Sequence, residues 1–187
     1  MHDHKELNYR EINLETANLK LKEIPFEYKD QFYHLFSDKE VLRFTDKSIT
    51  ENIDEAIVYL RNCHLRSDKQ EHLFLGIFIK DSFKLIGIIS IYHIDLKHRF
   101  ASLGILLAKD YWRRGFMTEA MKRFLAFCFE ELKLHRIEAQ TFVDNIPAVK
   151  FFEKMNFRNE GRLRENFKIE GKFEDSYLFS MLEGEFY

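Results

Sequence analysis

The chain has 187 residues, 45% hydrophobic and 16% aromatic, with 29 Lys and Arg against 31 Asp and Glu and a net charge of -2. That length and apolar content suit one domain with a full core, and they exclude a disordered, charge-unbalanced chain. The even charge gives no overall pull toward nucleic acid or an anionic membrane, and no apolar run reaches membrane-spanning length, so neither is expected as a partner.

Residues 1–17 are polar and without a clear period, and read as a mobile arm or an added edge strand. Met1-His2-Asp3-His4-Lys5 lacks the apolar centre of a signal peptide, so a cytoplasmic location is expected. Residues 18–187 read as a single domain. Asn18 to Ile24 alternates apolar and polar, as a half-buried strand does, and Pro25 ends it. Tyr28, Phe32, Leu35 and Phe36 mark one helix face. Asn52 with Glu55 resembles a capping box, opening a second helix with Ile53, Ala56, Ile57, Leu60 and His64 on one stripe. Arg66 to Gln70 reads as a polar loop.

Apolar strands are expected from Leu73 to Ile79 and from Leu85 to Ile91, joined as a hairpin through Lys80 to Lys84. A further strand runs from Phe100 to Ala108. The best helix follows, with Met117, Ala120, Met121, Phe124, Leu125, Cys128 and Leu132 at helical spacing. Then come a strand from Arg136 to Val143, a helix from Pro147 to Met155, and two strands around Glu170-Gly171-Lys172. This order predicts an α/β (α+β) domain, a mixed central sheet of about six to seven strands flanked by about four helices. Cys63 and Cys128 fall on apolar helix faces with no metal-ligand spacing, so no metal is expected.

The junction from Leu106 to Ala120 carries chemical information. A buried strand enters a tight turn at Gly115, and the strongest helix begins there. The first amides of a helix lack internal partners and lie at its positive end, a combination that binds phosphate. Gly115 permits close approach, and Arg113 and Arg114 add cationic donors. Taken alone, the same pattern also fits an ordinary turn.

Tyr111-Trp112-Arg113-Arg114-Gly115-Phe116-Met117-Thr118-Glu119-Ala120 resembles the CoA pyrophosphate loop of the GNAT N-acetyltransferases, in its RimJ/RimL-like branch. Val143-Asp144-Asn145-Ile146-Pro147-Ala148-Val149, then Phe152 to Phe157 and Glu160-Gly161, are similar to a second family block. The resemblance spans about Asn18 to Glu185 and implies the GNAT fold with acetyl-CoA as cosubstrate. Pyrophosphate is then expected on the amides from Arg113 through Gly115, Phe116 and Met117 to Thr118. The strand at Leu106 and Leu107 is expected to splay at a bulge and pair its free backbone with pantetheine. Asn145 and Phe152 are expected at the pantetheine or acetyl end, and a homodimer is one assembly the resemblance allows.

The implied reaction is direct attack on the thioester by an amine, either a protein N-terminal α-amine or a small-molecule amine, in a ternary complex. Glu165 is the first candidate for the base, with Asn145 as a polar contact at the reacting end; Glu165 also reads as a solvated strand residue. Asp95 and His93 are further candidates. Glu119 reads as a helix-dipole carboxylate, and Lys150 and Arg114 as CoA 3′-phosphate contacts or solvated charges. Phe152 stands where many relatives carry a proton-donating Tyr, Met117 where Gly or Ala is usual, and Ala148 where Ser is frequent. A CoA-binding module of the same fold with weak or no catalysis is therefore the alternative.

Overall fold

The structure is a computed structural model that describes residues 7–45, 50–169 and 171–186. The N-terminal pentapeptide and Glu170 of the final turn lie outside the described residues. Eight strands form one sheet: β1 (Asn13–Glu15), β2 (Leu19–Lys22), β3 (His72–Ile79), β4 (Leu85–Asp95), β5 (Phe100–Leu107), β6 (Arg136–Phe142), β7 (Arg158–Ile169) and β8 (Lys172–Leu182). Their spatial order is β1-β2-β3-β4-β5-β6-β8-β7, and β5 with β6 is the parallel pair among antiparallel neighbours.

The apolar runs of β3 and β4 are buried on both faces along most of their length, because helices cover the sheet on both sides. Alternation sends Leu73, Leu75 and Ile77 to one face and Phe74 and Phe78 to the other. The second face is covered by α1 (Lys29–Ser37) and α3 (Ile53–Asp68), which bury Phe32, Leu35 and Phe36, and Ala56, Leu60 and Cys63. The first is covered by α4 (Phe116–Ala126) and α5 (Ile146–Lys154), through Ala120, Met121, Phe124 and Phe152.

The strand count exceeds expectation by β1, which pairs with β2 while Tyr9, Ile12 and Leu14 join the core. The extra helix is the short α2 (Lys39–Leu42), capped by the Asp38 carboxylate, which accepts from the amides of Glu40 and Val41. Two local expectations are corrected. The polar run after Leu65 is not all loop: α3 continues to Asp68, because Cys63, His64 and Ser67 extend its buried face and the Ser67 hydroxyl donates to the His72 carbonyl at 2.7 Å. The helix beyond Ala126 widens into a π-turn, Phe127–Glu131, closed by the Leu132 amide on the Phe127 carbonyl at 3.0 Å. Widening lets three successive residues, Phe127, Cys128 and Phe129, stay buried, which 3.6-residue periodicity alone does not allow. Burial pushes the Cys128 thiol up, as for an inert core cysteine.

His64 ties the N-terminal segment to α3. Its Nε2 donates to the Ile24 carbonyl at 3.0 Å and lies 3.3 Å from a Glu23 oxygen, and Glu23 also takes the Arg10 guanidinium at 2.6 Å. Burial outweighs the attraction of Glu23, so the His64 pKa lies below its ordinary value. A histidine held neutral contributes stability that is present above its unfolded pKa of about 6.5 and is lost as pH falls through the lower folded value. The thermal midpoint should therefore drop on acidification from about pH 7.5 to about pH 5, and His64→Gln should flatten that drop. An equal drop in the variant, followed by thermal melts, assigns the loss to other groups.

Candidate active site

Backbone pairing fixes the geometry of the site. β4 and β5 keep one unbroken register from Tyr92↔Ser102 to Gly87↔Leu107. β5 and β6 pair only from Phe100↔Arg136 to Leu103↔Ala139, whereas β6 stays with β8 out to Phe142↔Ser176. The two parallel strands thus part after Leu103, leaving one edge of β5 open. No register shift marks the paired part of β5 and β6; the irregularity of β5 is with β4, opposite Tyr92 to Asp95, at the far end of the strand.

Strand alternation identifies which groups face the gap. The Ala108 amide donates to the Ile86 carbonyl of β4 at 2.8 Å. Even-numbered residues of β5 accordingly turn their backbone groups to β4, and Ile105 and Leu107 turn theirs to the gap. Leu106 does not offer a free edge as expected; its side chain lines the cavity instead. The Leu107 carbonyl is taken by the Trp112 indole N–H at 2.7 Å, so the Ile105 amide and carbonyl and the Leu107 amide remain for a ligand.

The turn into α4 follows. Arg113 (φ 58°) and Gly115 (φ 87°) both adopt left-handed backbone, and a Cβ on Gly115 would meet nothing within 4 Å. Gly115 is the N-cap without a side-chain cap, and the first helical bond is the Glu119 amide on the Gly115 carbonyl. The amides of Phe116, Met117 and Thr118 are left without partners among the described residues. Arg114 lies over the rings of Tyr111 and Phe116, at 5.4 and 5.3 Å, which holds its charge beside the turn. Met117 packs on the core, so the larger side chain leaves the turn clear.

A cavity of about 300 Å³ passes through the gap. β5 supplies Leu103, Gly104, Ile105 and Leu106 to one wall, and β6 supplies Gln140, Thr141 and Phe142 to the other. Asn145, Ala148 and Phe152 border it on the α5 side. Phe36, Tyr59, Arg66, His72, Phe74, Ser90 and Tyr92 border it on the α1/α3 side. At Gly104 a Cβ would stand 3.0 Å from the Ser90 hydroxyl and 3.4 Å from the Tyr92 ring, so its absence keeps the centre of the cavity clear.

Asn145 caps α5, its Oδ1 accepting from the Ala148 amide at 3.3 Å; Nδ2 is its remaining donor, and the residue borders the cavity. Phe152 is buried and stacks on Phe179 at 5.3 Å; it shapes the cavity and has no proton to give. Glu165 sits at positive φ on an irregular stretch of β7, exposed, and is not among the residues lining the cavity. Asp95 accepts from the His98 amide and ring, at 2.8 and 2.9 Å, and His93 is likewise outside the cavity lining. Glu119 accepts from the Asn18 amide and side chain at 2.8 and 2.9 Å. Burial raises the Glu119 pKa, but the Thr16 and Asn18 donors outweigh it and hold the carboxyl below its usual range, as suits an anchor rather than a base.

Sequence reasoning missed the α1/α3 wall. A signal was present: His72, Ser90 and Tyr92 are polar or amphipathic positions in otherwise apolar strand runs, and strand pairing sets His72 opposite Tyr92 and Phe74 opposite Ser90. Among the described residues no group of acids, histidines and cysteines could hold a metal. Phosphate-ready amides beside an open strand edge fit a ligand with a pyrophosphate and an amide-bearing arm, as CoA has.

Comparison with known proteins agrees. The model of the acetyltransferase (GNAT) domain matches residues 18–158. An uncharacterized N-acetyltransferase of Bacillus subtilis, YoaA, is 30% identical over 91% of this chain and 96% of its own length. The spermidine N(1)-acetyltransferase of Vibrio cholerae is 29% identical over 82% of this chain and 87% of its own. A crystal structure of spermidine N-acetyltransferase from Vibrio cholerae in complex with CoA and spermine superposes with a TM-score of 0.81, covering 91% of this chain and 99% of that one. At 24% identity that likeness is one of fold.

A Gly115→Trp substitution fills the space above the helix amides. Calorimetry should show acetyl-CoA affinity at least about 10-fold weaker, with circular dichroism unchanged. Undiminished affinity would place the pyrophosphate elsewhere.

Proposed function

The chain belongs to the GNAT acetyltransferase family as an acetyl-CoA-dependent N-acetyltransferase, and we propose that its acceptor is the primary amine of a small molecule held in the cavity between β5 and β6. The observation that carries this reading is the cavity's position, with the open β5 edge and the α4 amides on one approach and the α1/α3 wall on the other. Within the family we place the chain in the RimJ/RimL-like branch, on the Tyr111–Ala120 and Asn145–Gly161 patterns. That branch name points to protein N-termini. A cavity of about 300 Å³ walled from both faces of the sheet favours a small acceptor instead, and a relative is named for spermidine.

Acetyl-CoA supplies the acetyl thioester. The amides of Phe116, Met117 and Thr118 bind its pyrophosphate. The Ile105 backbone aligns the pantetheine arm as an added strand would. An amide of this edge then polarises the thioester carbonyl as charge grows on its oxygen. Asn145 Nδ2 donates to the arm from the opposite wall. The acceptor amine enters from the α1/α3 side, loses its proton and attacks; the acetyl–nitrogen bond forms as the acetyl–sulfur bond breaks.

His72 is the proton acceptor in this reading. It lines the cavity, it is buried between the rings of Phe74 and Tyr92, and imidazole is the side chain that exchanges protons near neutral pH. No carboxylate is found among the described lining residues. His72→Asn should lower kcat/KM for the best amine about 100-fold, at unchanged acetyl-CoA affinity. Wild-type rates in the variant would move the proton to water alone.

A further inference from the structure

The acceptor side of the cavity carries one permanent charge among its described residues, and that charge is positive. Arg66 borders the cavity from the last turns of α3, two turns beyond Tyr59 and on the same helix face. The other basic groups near acids are engaged. Arg10 is paired with Glu23 and Asp68, Arg99 with Glu183, Arg123 with Glu131, Arg136 with Glu138 and Glu160, and Arg162 with Asp175. Arg66 makes no ion pair and no side-chain hydrogen bond to a described residue. The acids at the start of the same helix, Asp54 and Glu55, line a neighbouring surface depression that shares Tyr59 with the cavity, where Glu55 is occupied by Asn52 and the Glu51 amide.

Resting on the acetyltransferase reading above, we propose that the acceptor is an amine that also carries a carboxylate, of the size and kind of an α-amino acid with an apolar or aromatic side chain, and that Arg66 is the residue that selects it. A guanidinium presents five N–H donors in a planar fork that matches a carboxylate and has no acceptor of its own. With no acid among the described lining residues, it has an empty half to its strongest pairing. A polyamine brings the opposite pattern: several cations, which need carboxylates that the described lining residues do not offer and which Arg66 repels. The rest of the wall suits an apolar substituent. Phe36, Tyr59 and Phe74 pack edge to face among themselves, at 4.9 to 6.3 Å, and present ring surface to the cavity. With the carboxylate held at the Arg66 end and the side chain on these rings, the amine is left to face the gap where β5 and β6 part. His72, which follows α3 in the chain, lines the same cavity.

The test compares molecules that differ only in the carboxylate. Acetyl transfer is measured for a panel of L-amino acids, each beside its decarboxylated amine, L-phenylalanine beside 2-phenylethylamine for instance, with spermidine as the polycation. For the best pair the acid should exceed the amine in kcat/KM by at least about 10-fold, and Arg66→Gln should reduce that ratio about 10- to 100-fold, chiefly through KM. Arg66→Lys, which keeps the charge and loses the fork, should fall between. Amines equal to or better than their acids across the panel would overturn the proposal, as would an Arg66→Gln variant that lowers both members of a pair alike. So would absence of transfer to every acid. Acetyl-CoA affinity measured in parallel separates these results from failure of the acetyltransferase reading, since only the latter removes cofactor binding from the wild-type chain.

Discussion

Everything in the site depends on the parting of two parallel strands. β5 keeps β4 as a partner through Leu107 and β6 keeps β8 through Phe142, so each strand is satisfied on its outer side while the inner sides separate after Leu103 and Ala139. An open strand edge inside a sheet is costly, because buried backbone donors and acceptors lose their water without gaining partners. The protein meets part of this cost itself, with the Trp112 indole on the Leu107 carbonyl. The remaining groups of Ile105 and Leu107 are left for a ligand that can act as the missing strand. Binding thus completes the sheet, and the same residues that position a substrate are those whose hydrogen bonds the fold alone leaves unmade.

The distribution of charge follows the same separation of roles. Acids are abundant in the chain, yet many of them are committed to the scaffold. Glu119 holds the turn between β1 and β2 through Asn18. Asp95 closes the end of β4 on His98. Asp175 takes the Glu165 amide and the Arg162 guanidinium, fastening the irregular part of β7 to β8. Glu160 is held at about 2 by Arg136 and Ser180, a value at which it remains ionised and fixed at all ordinary pH. The polar groups left on the described cavity wall are hydroxyls, two carboxamides, one imidazole and one guanidinium, among aromatic and aliphatic side chains.

Much of this was legible in the chain. Periodicity placed the strands and helices from Leu19 onward, since burial on both faces makes β3 and β4 continuous apolar runs and burial on one face makes α4 a stripe. The turn into α4 was legible because Gly115 and the helix start are adjacent in sequence. The acceptor wall was not, because it assembles Tyr59, Arg66, His72, Ser90 and Tyr92 from one helix and two strands, and only sheet pairing brings them to one face. Glu165 shows the converse. Its place after the Glu160-Gly161 block suggested the cleft, but a register shift between Leu163 and Phe167 leaves it exposed, and it is Phe167 that lines the cavity. A shift of that kind changes which side chains face inward and has no signature in composition or period.

The absence of a proton donor at Phe152 fits the same economy. Stacked on Phe179 and buried, that ring can supply only shape and low polarity at the α5 border of the cavity. A thiol with a pKa of about 8.5 leaves as a thiolate without great penalty, so protonation of the departing sulfur is the least demanding step of the transfer. The demanding step is to hold a neutral amine against the carbonyl. Alignment of two reactants can contribute roughly 7 to 11 kcal/mol to a barrier, more than a single acid or base commonly does. An open strand edge, the unpartnered amides of Phe116, Met117 and Thr118 and a cavity wall that bears Arg66 are the groups this chain offers for that alignment. With no proton to give at Phe152, the transfer as proposed rests on position rather than on an acid at that residue.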